Sequence, residues 1–166
     1  MIAEIGHFTL ILALGVALVQ TILPIWGAQR GDQTLMRIGS SAAQVQFVLL
    51  LIAFLALMAA YVTSAFSLLN VFKNSHSAKP MLYKISGVWG NHEGSMLLWV
   101  LILALFGSAV AVFGRNIPPD LKANVLGVQG SISAAFLIFM VMTSNPFLRL
   151  DPAPFEGRGL NPILQD

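Results

Sequence analysis

Residues 41–64 read SAAQVQFVLLLIAFLALMAAYVTS, and no side chain in this run carries a formal charge. A helix of about 20 predominantly apolar residues crosses a hydrocarbon layer of about 30 Å, so the run is long enough to span one. The charge-free region around it extends over residues 38–72. Working outward, the pattern repeats. Residues 95–114 and 123–148 contain no Asp, Glu, Lys or Arg, and residues 5–29 contain only His7 as an ionisable side chain. A backbone surrounded by lipid must satisfy its own amides, which makes each run a helix. The expected fold is an all-α polytopic membrane protein with about four transmembrane helices, over residues 5–26, 41–64, 93–113 and 121–143. The excess of apolar chain up to Phe72 suggests that the second helix tilts or projects beyond the bilayer.

Composition agrees. Of 166 residues, 57% are apolar and 10% charged, against roughly 25% charged in soluble chains. So few charges cannot solvate a globule of this size. The net charge of +2 comes from basic residues scattered over the loops, with no basic run to bind nucleic acid. The chain has no cysteine, which excludes disulfides, thiolate metal sites and a Cys nucleophile within it. Glu4 stands where a signal peptide would carry basic residues, and the apolar run is long, so the first helix is expected to be retained.

Two regions are expected: a four-helix transmembrane region over residues 1–144 and a Pro/Gly-rich extracytoplasmic tail over residues 145–166. The tail holds Pro146, Pro152, Pro154 and Pro162 with Gly157 and Gly159, too irregular to span lipid. Its apolar residues, among them Phe147, Leu150, Phe155, Leu160, Ile163 and Leu164, call for cover by a partner surface. Four crossings put the loop at residues 73–94 on the same side as the tail. Arg30, Arg37, Arg115 and Lys122 crowd the shorter loops of the other side, and their density marks that side as cytoplasmic. Trp26 reads as an interface anchor. In the fourth helix Gly127, Gly130, Ser131, Ser133 and Ala134 are small enough for close helix contact.

The most informative stretch for chemistry is Trp89-Gly90-Asn91-His92-Glu93-Gly94-Ser95, which sets a His and a Glu at a membrane boundary near Trp99. His92 could ligate a metal or haem iron. His92 and Glu93 could relay protons. Alternatively the segment caps the third helix, with Asn91 as N-cap and Glu93 facing the helix dipole. Adjacent helical residues point about 100° apart, so His92 and Glu93 do not form one chelate. His7 reads as interfacial and His76 as solvated. The histidines lack zinc-type spacing, and no metal site is expected. Phosphate loops and GxSxG elbows are absent, and no charge lies mid-helix as an ion pathway would require. Arg149 and Arg158, with Asp151 and Glu156, could hold carboxylates or one another.

Residues 89–100, WGNHEGSMLLWV, resemble the WGxHEGSxLLWV motif of the CcmF-type cytochrome c haem lyase subunits. Glu4-Ile5-Gly6 and the later Pro24-Ile25-Trp26-Gly27 look like the start of the same family. Residues 143–147, TSNPF, and 156–166, EGRGLNPILQD, match its next two blocks in order. The resemblance makes Trp89, Gly90, His92, Glu93, Gly94, Ser95 and Trp99 candidate functional positions. In the tail it adds Asn145, Pro146, Glu156, Arg158, Asn161 and Pro162. It implies a multi-pass protein of the bacterial inner membrane that acts in cytochrome c maturation. Such a protein would take haem from a haem chaperone, work with other maturation subunits, and support thioether attachment to CXXCH of apocytochrome c on the extracytoplasmic side. The family also carries haem b. Its first haem-flanking histidine, its Trp-rich segment and its bilayer histidines all lie beyond the block that ends at Gln165-Asp166. None of its haem-ligand histidines maps onto this chain, so the chain is expected to correspond to the N-terminal quarter of such a protein, whether as fragment, truncated product or one piece of a split system. No haem and no catalysis are expected of it alone. The competing expectation is a small transport or structural subunit of a membrane complex without a haem role, in which Gln20, Gln44, Gln46 and Gln129 would line a pathway.

Overall fold

The computed structural model describes residues 1–158. Among the described residues six helices form in chain order: α1 (Ile2–Arg30), α2 (Gln33–Val62), α3 (Leu69–Asn74), α4 (Met81–Gly87), α5 (His92–Phe113) and α6 (Pro119–Met142). Four of them, α1, α2, α5 and α6, are long and apolar enough to cross a membrane. The chain is an all-α, multi-pass membrane protein.

The helix ends follow local chemistry more than the charge map. The loop expected around Arg30 and Arg37 shrinks to Gly31 and Asp32. Gly31 takes the left-handed conformation at φ 69° that closes α1, a geometry that costs glycine little. The Asp32 carboxylate then accepts from the Thr34 and Leu35 amides at 2.8 and 3.3 Å, capping α2. At about 1.5 Å per residue, α1 and α2 are roughly 44 Å long. That exceeds a hydrocarbon layer of about 30 Å, so each of the two helices is longer than the layer it would cross. Arg30 lies over the Trp26 ring at 4.3 Å, as an interfacial pair does.

The second helix does not continue through the charge-free region to Phe72. α2 ends at Val62 with Ser64 at φ 53°. Ser64 N–H bonds Tyr61 O at 3.2 Å and Ala65 N–H bonds Ala60 O at 2.9 Å. This is the paired closure of a helix C-terminus, with serine where glycine is usual. Charge-free sequence therefore continues past the helix into a surface segment that includes α3 and α4.

The spans close into a ring: α1 packs on α2 and α6, and α5 packs on α2 and α6. Leu10, Leu50, Leu57, Leu97, Leu137 and Met140 are fully buried between them. Small residues set the spacing. A Cβ on Gly39 would meet Pro24 of α1, and one on Gly130 would meet the α1 backbone at Gln20 and Thr21. Gly127 is likewise filled by Ile25. Ser133 and Ala134 are buried in the same face, whereas Ser131 is exposed and bonds Val128 O within its own helix. Gln20 donates to Gln129 Oε1 at 2.5 Å and to Leu126 O at 2.9 Å, tying α1 to α6. Gln20 and Gln46 are fully buried while Gln44 is exposed, so the four glutamines do not line a common pathway.

The first part of the tail packs against its own chain. The Phe147 ring sits on Gly6, and Arg149 pairs with Glu4 at 2.6 Å. Leu69 N–H bonds Leu148 O at 2.9 Å and Leu150 N–H bonds Ser67 O at 2.8 Å. Phe155 is fully exposed. Leu160, Ile163 and Leu164 lie outside the described residues. The N-terminus, the segment carrying α3 and α4, and the tail thus share one end of the bundle, and the turns at residues 31–32 and 114–118 share the other.

Candidate functional site

The head of α5 is built on a backbone collision that only glycine avoids. After α4 the chain turns through residues 88–91 so tightly that a Cβ on Gly94 would strike the Val88 carbonyl. Val88 itself is fully buried. Asn91 holds this turn from both sides. Its Oδ1 accepts from Gly94 N–H at 2.8 Å, the N-cap bond. Its Nδ2 donates to Gly87 O at 2.8 Å, to the Tyr61 hydroxyl at 2.9 Å and to Val88 O at 3.2 Å.

Tyr61 and Asn70 extend the network. The Tyr61 hydroxyl donates to Asn70 Oδ1 at 2.5 Å, and Asn70 Nδ2 donates to Asn91 Oδ1 at 2.8 Å and to Glu93 Oε2 at 3.2 Å. Both residues are buried, so each of these polar groups is satisfied within the protein. Neither was singled out from the sequence. Asn70 stands alone as a polar residue in an apolar run, and Tyr61 is one of two tyrosines in the chain, the only signals available.

His92 and Glu93 diverge as helical geometry requires. Glu93 is drawn into the network, while His92 is exposed and turned about 100° away from it. The imidazole meets the Phe139 ring edge-on, with centroids 6.4 Å apart. Beside it runs an apolar groove of about 430 Å³ lined by His92, Met96, Ala135, Phe136 and Phe139. The imidazole nitrogens bond no other side chain, and no group of metal-ligating side chains gathers anywhere, among the described residues.

The remaining candidates sit around this core. Gly90 N–H bonds Ser86 O at 3.1 Å, and Ser95 Oγ bonds His92 O at 3.0 Å. Trp89 and Trp99 are exposed, Trp99 a little under two turns along α5, away from the network. Asn145 faces His7 at 3.2 Å, and Pro146 is buried next to Phe147. Glu156 accepts from Ser77 N–H at 3.0 Å and Ser77 Oγ at 2.8 Å, with His76 at 3.9 Å. The Ser77 donors hold its carboxyl below the usual carboxylate range. Arg158 bonds Phe72 O through its backbone and lies over the Phe72 ring at 5.4 Å. Asn161 and Pro162 lie outside the described residues. The described candidates, apart from Trp99, therefore meet on one end of the bundle as a braced surface. The structure brings Asn91, Glu93 and Gly94 into direct contact with the network and leaves His92 free beside it.

Known proteins carry the same pattern. A family model described as Cytochrome C assembly protein matches residues 89–166. Cytochrome c-type biogenesis protein ccl1 of Rhodobacter capsulatus is 63% identical over 166 residues, which cover 100% of this chain and 25% of that protein. Cytochrome c-type biogenesis protein CcmF of Escherichia coli is 45% identical over 167 residues, covering 100% of this chain and 26% of that protein. The solved structure of Cytochrome c Heme Lyase CcmF superposes with a TM-score of 0.84 at 28% identity, over 89% of this chain and 25% of that one. The chain spans about a quarter of the length of the curated relatives it matches. With the motif, the fold and the full length of the sequence in agreement, the chain belongs to the CcmF-type family of cytochrome c-type biogenesis proteins and matches the N-terminal portion of its members.

Proposed function

We propose that this chain serves cytochrome c maturation as the N-terminal part of a haem lyase subunit in the bacterial inner membrane. The observation that carries this is identity to cytochrome c-type biogenesis proteins sustained over the whole chain, at 63% to the protein from Rhodobacter capsulatus. The part played here is positional. Asn91, Asn70 and Tyr61 fix the head of α5, and the tail is pinned beside it through Arg149 and Glu4. A surface so braced can present neighbouring protein to apocytochrome c and to haem in one orientation, and such prior ordering lowers the cost of reaction. The braced end faces the extracytoplasmic side, and the end bearing Arg30, Arg37, Arg115 and Lys122 faces the cytoplasm. Partners of the whole protein would be the other maturation subunits, a haem chaperone and apocytochrome c.

Among the described residues, those lining the groove beside His92 do not by themselves hold a haem. The groove beside His92 offers one imidazole, with no second axial donor and no cation for a propionate among its lining residues. In the whole protein the remaining donors would come from its other segments.

Deletion of the gene tests the reading. Covalently bound haem in c-type cytochromes is expected to disappear from the membrane fraction, with b-type cytochromes unchanged and apocytochrome c still made. Normal holocytochrome c in the deleted strain would sink the proposal.

A further inference from the structure

The end of the bundle away from the motif carries a cationic pocket that the maturation role leaves unused. Its volume is about 240 Å³, and Gln33, Arg37 and Ser40 of α2, Arg115 of the turn between α5 and α6, and Pro119 and Lys122 of α6 line it. No Asp or Glu is among its lining residues. Neither Arg37, Arg115 nor Lys122 has a carboxylate partner among the described residues. The nearest acids are otherwise placed: Asp32 caps α2, and Asp120, in the first turn of α6, does not line the pocket. Lys122 gives one hydrogen to Ala111 O at 2.8 Å, which leaves its ammonium two more to give. Three cations facing one small space favour an anion with several acceptor oxygens.

A second feature shares Arg37. On the other side of that residue an apolar groove of about 510 Å³ runs between α1 and α2, walled by Leu12, Val16, Val19, Ile38 and Val45. Gly15 lies in it, and nothing comes within 4 Å of where its Cβ would be. The polar lining residues, Thr34, Arg37 and Ser41, cluster towards the start of α2, the end that carries the cationic pocket. An open apolar channel along a membrane span that ends in a cationic pocket matches the two halves of one amphiphile.

We propose that this end of the protein binds an anionic glycerophospholipid, its phosphate held by Arg37, Arg115 and Lys122 and one acyl chain laid in the groove between α1 and α2. Basic pockets between membrane helices bind anionic headgroups by this chemistry. The Arg30–Trp26 pair on the same end sits where headgroups lie. A zwitterionic lipid would bring a second cation towards three already present, and free phosphate would leave the groove without an occupant.

Native mass spectrometry of the purified protein tests this, with phosphatidylglycerol, phosphatidylcholine of the same acyl chains, and inorganic phosphate as probes. Phosphatidylglycerol is expected to bind at least about tenfold more tightly than phosphatidylcholine, and Arg37→Gln to remove about fivefold of that preference. The triple variant Arg37→Gln, Arg115→Gln, Lys122→Gln should bind the two lipids equally, while Arg37→Lys keeps the preference and shows that the site is folded. Gly15→Leu, which fills the groove, should weaken both lipids. Equal binding of the two lipids by the native protein would overturn the proposal. So would an undiminished preference in the triple variant, unchanged lipid binding in Gly15→Leu, or displacement of the lipid by inorganic phosphate at equal concentration.

Discussion

Gly94 is the residue at which the candidate site is least tolerant. A methyl group there meets the Val88 carbonyl, a backbone atom held in place because Val88 is buried and its carbonyl is bonded by Asn91. Neither side of the clash is the movable tip of a side chain. Gly94→Ala is expected to cost about 1–3 kcal/mol, the usual range for overpacking a fixed space. Thermal unfolding in mild detergent should show a lower midpoint for the variant, and an unchanged midpoint would mean that the turn at residues 88–91 can move aside. Asn91 was legible as a cap from its place just before an acidic first turn. The need for glycine at position 94 was not, because it depends on where the α4 turn returns the chain. Tyr61 and Asn70 were hidden for the same reason on a larger scale, since they reach Asn91 across 30 and 21 positions of sequence.

At the scale of elements, charge marks where lipid ends, and helices obey a different rule. Arg30 and Arg37 lie inside α1 and α2 because a helix persists in water once capped, here by Gly31 and Asp32. In the other direction, residues 63–72 are uncharged yet not part of α2, since the Ser64 turn diverts them onto the bundle end. The spans themselves were legible, because length and hydropathy suffice to find them. The path of the tail was not, since its covering surface is the chain's own N-terminus. That tail carries a pH dependence. Glu156 is held below its ordinary value of 4.5 by the two Ser77 donors. A depressed carboxyl contributes stability that is complete above its unfolded pKa and is lost as pH falls through the lower folded value. Cleavage of the tail by an acid-active protease should therefore accelerate as pH drops from about 5 to about 3, beyond the protease's own profile. In Glu156→Gln the tail should be cleaved quickly throughout. A native profile parallel to that of the variant would show that the Ser77 contact does not hold the tail.

At the scale of the molecule the described residues form a ring of four spans, and its buried amides divide into two kinds. Gln129 is bonded on both sides, accepting from Gln20 and donating to Leu103 O at 3.2 Å, so it joins α6 to α1 and to α5. Gln46 is also buried, in α2, yet among the described residues neither its Oε1 nor its Nε2 has a partner. Composition could not separate them, because both appear only as glutamine in an apolar run. The difference arises from what the facing helices offer at that depth. Removing Gln129 strips one of the two bonds that Gln20 donates and leaves it only Leu126 O, whereas removing Gln46 takes away a desolvated group that holds nothing. Interhelical hydrogen bonds in membrane proteins average about 0.6 kcal/mol and reach about 1.7 kcal/mol. Gln129→Leu is expected to destabilise by an amount in that range. Gln46→Leu, similar in volume, should be neutral or stabilising. Unfolding free energies measured in the same detergent decide between these outcomes. A loss at Gln46→Leu as large as that at Gln129→Leu would mean that an ordered water bridges Gln46 to the facing helices, and that the bundle core is hydrated at its middle.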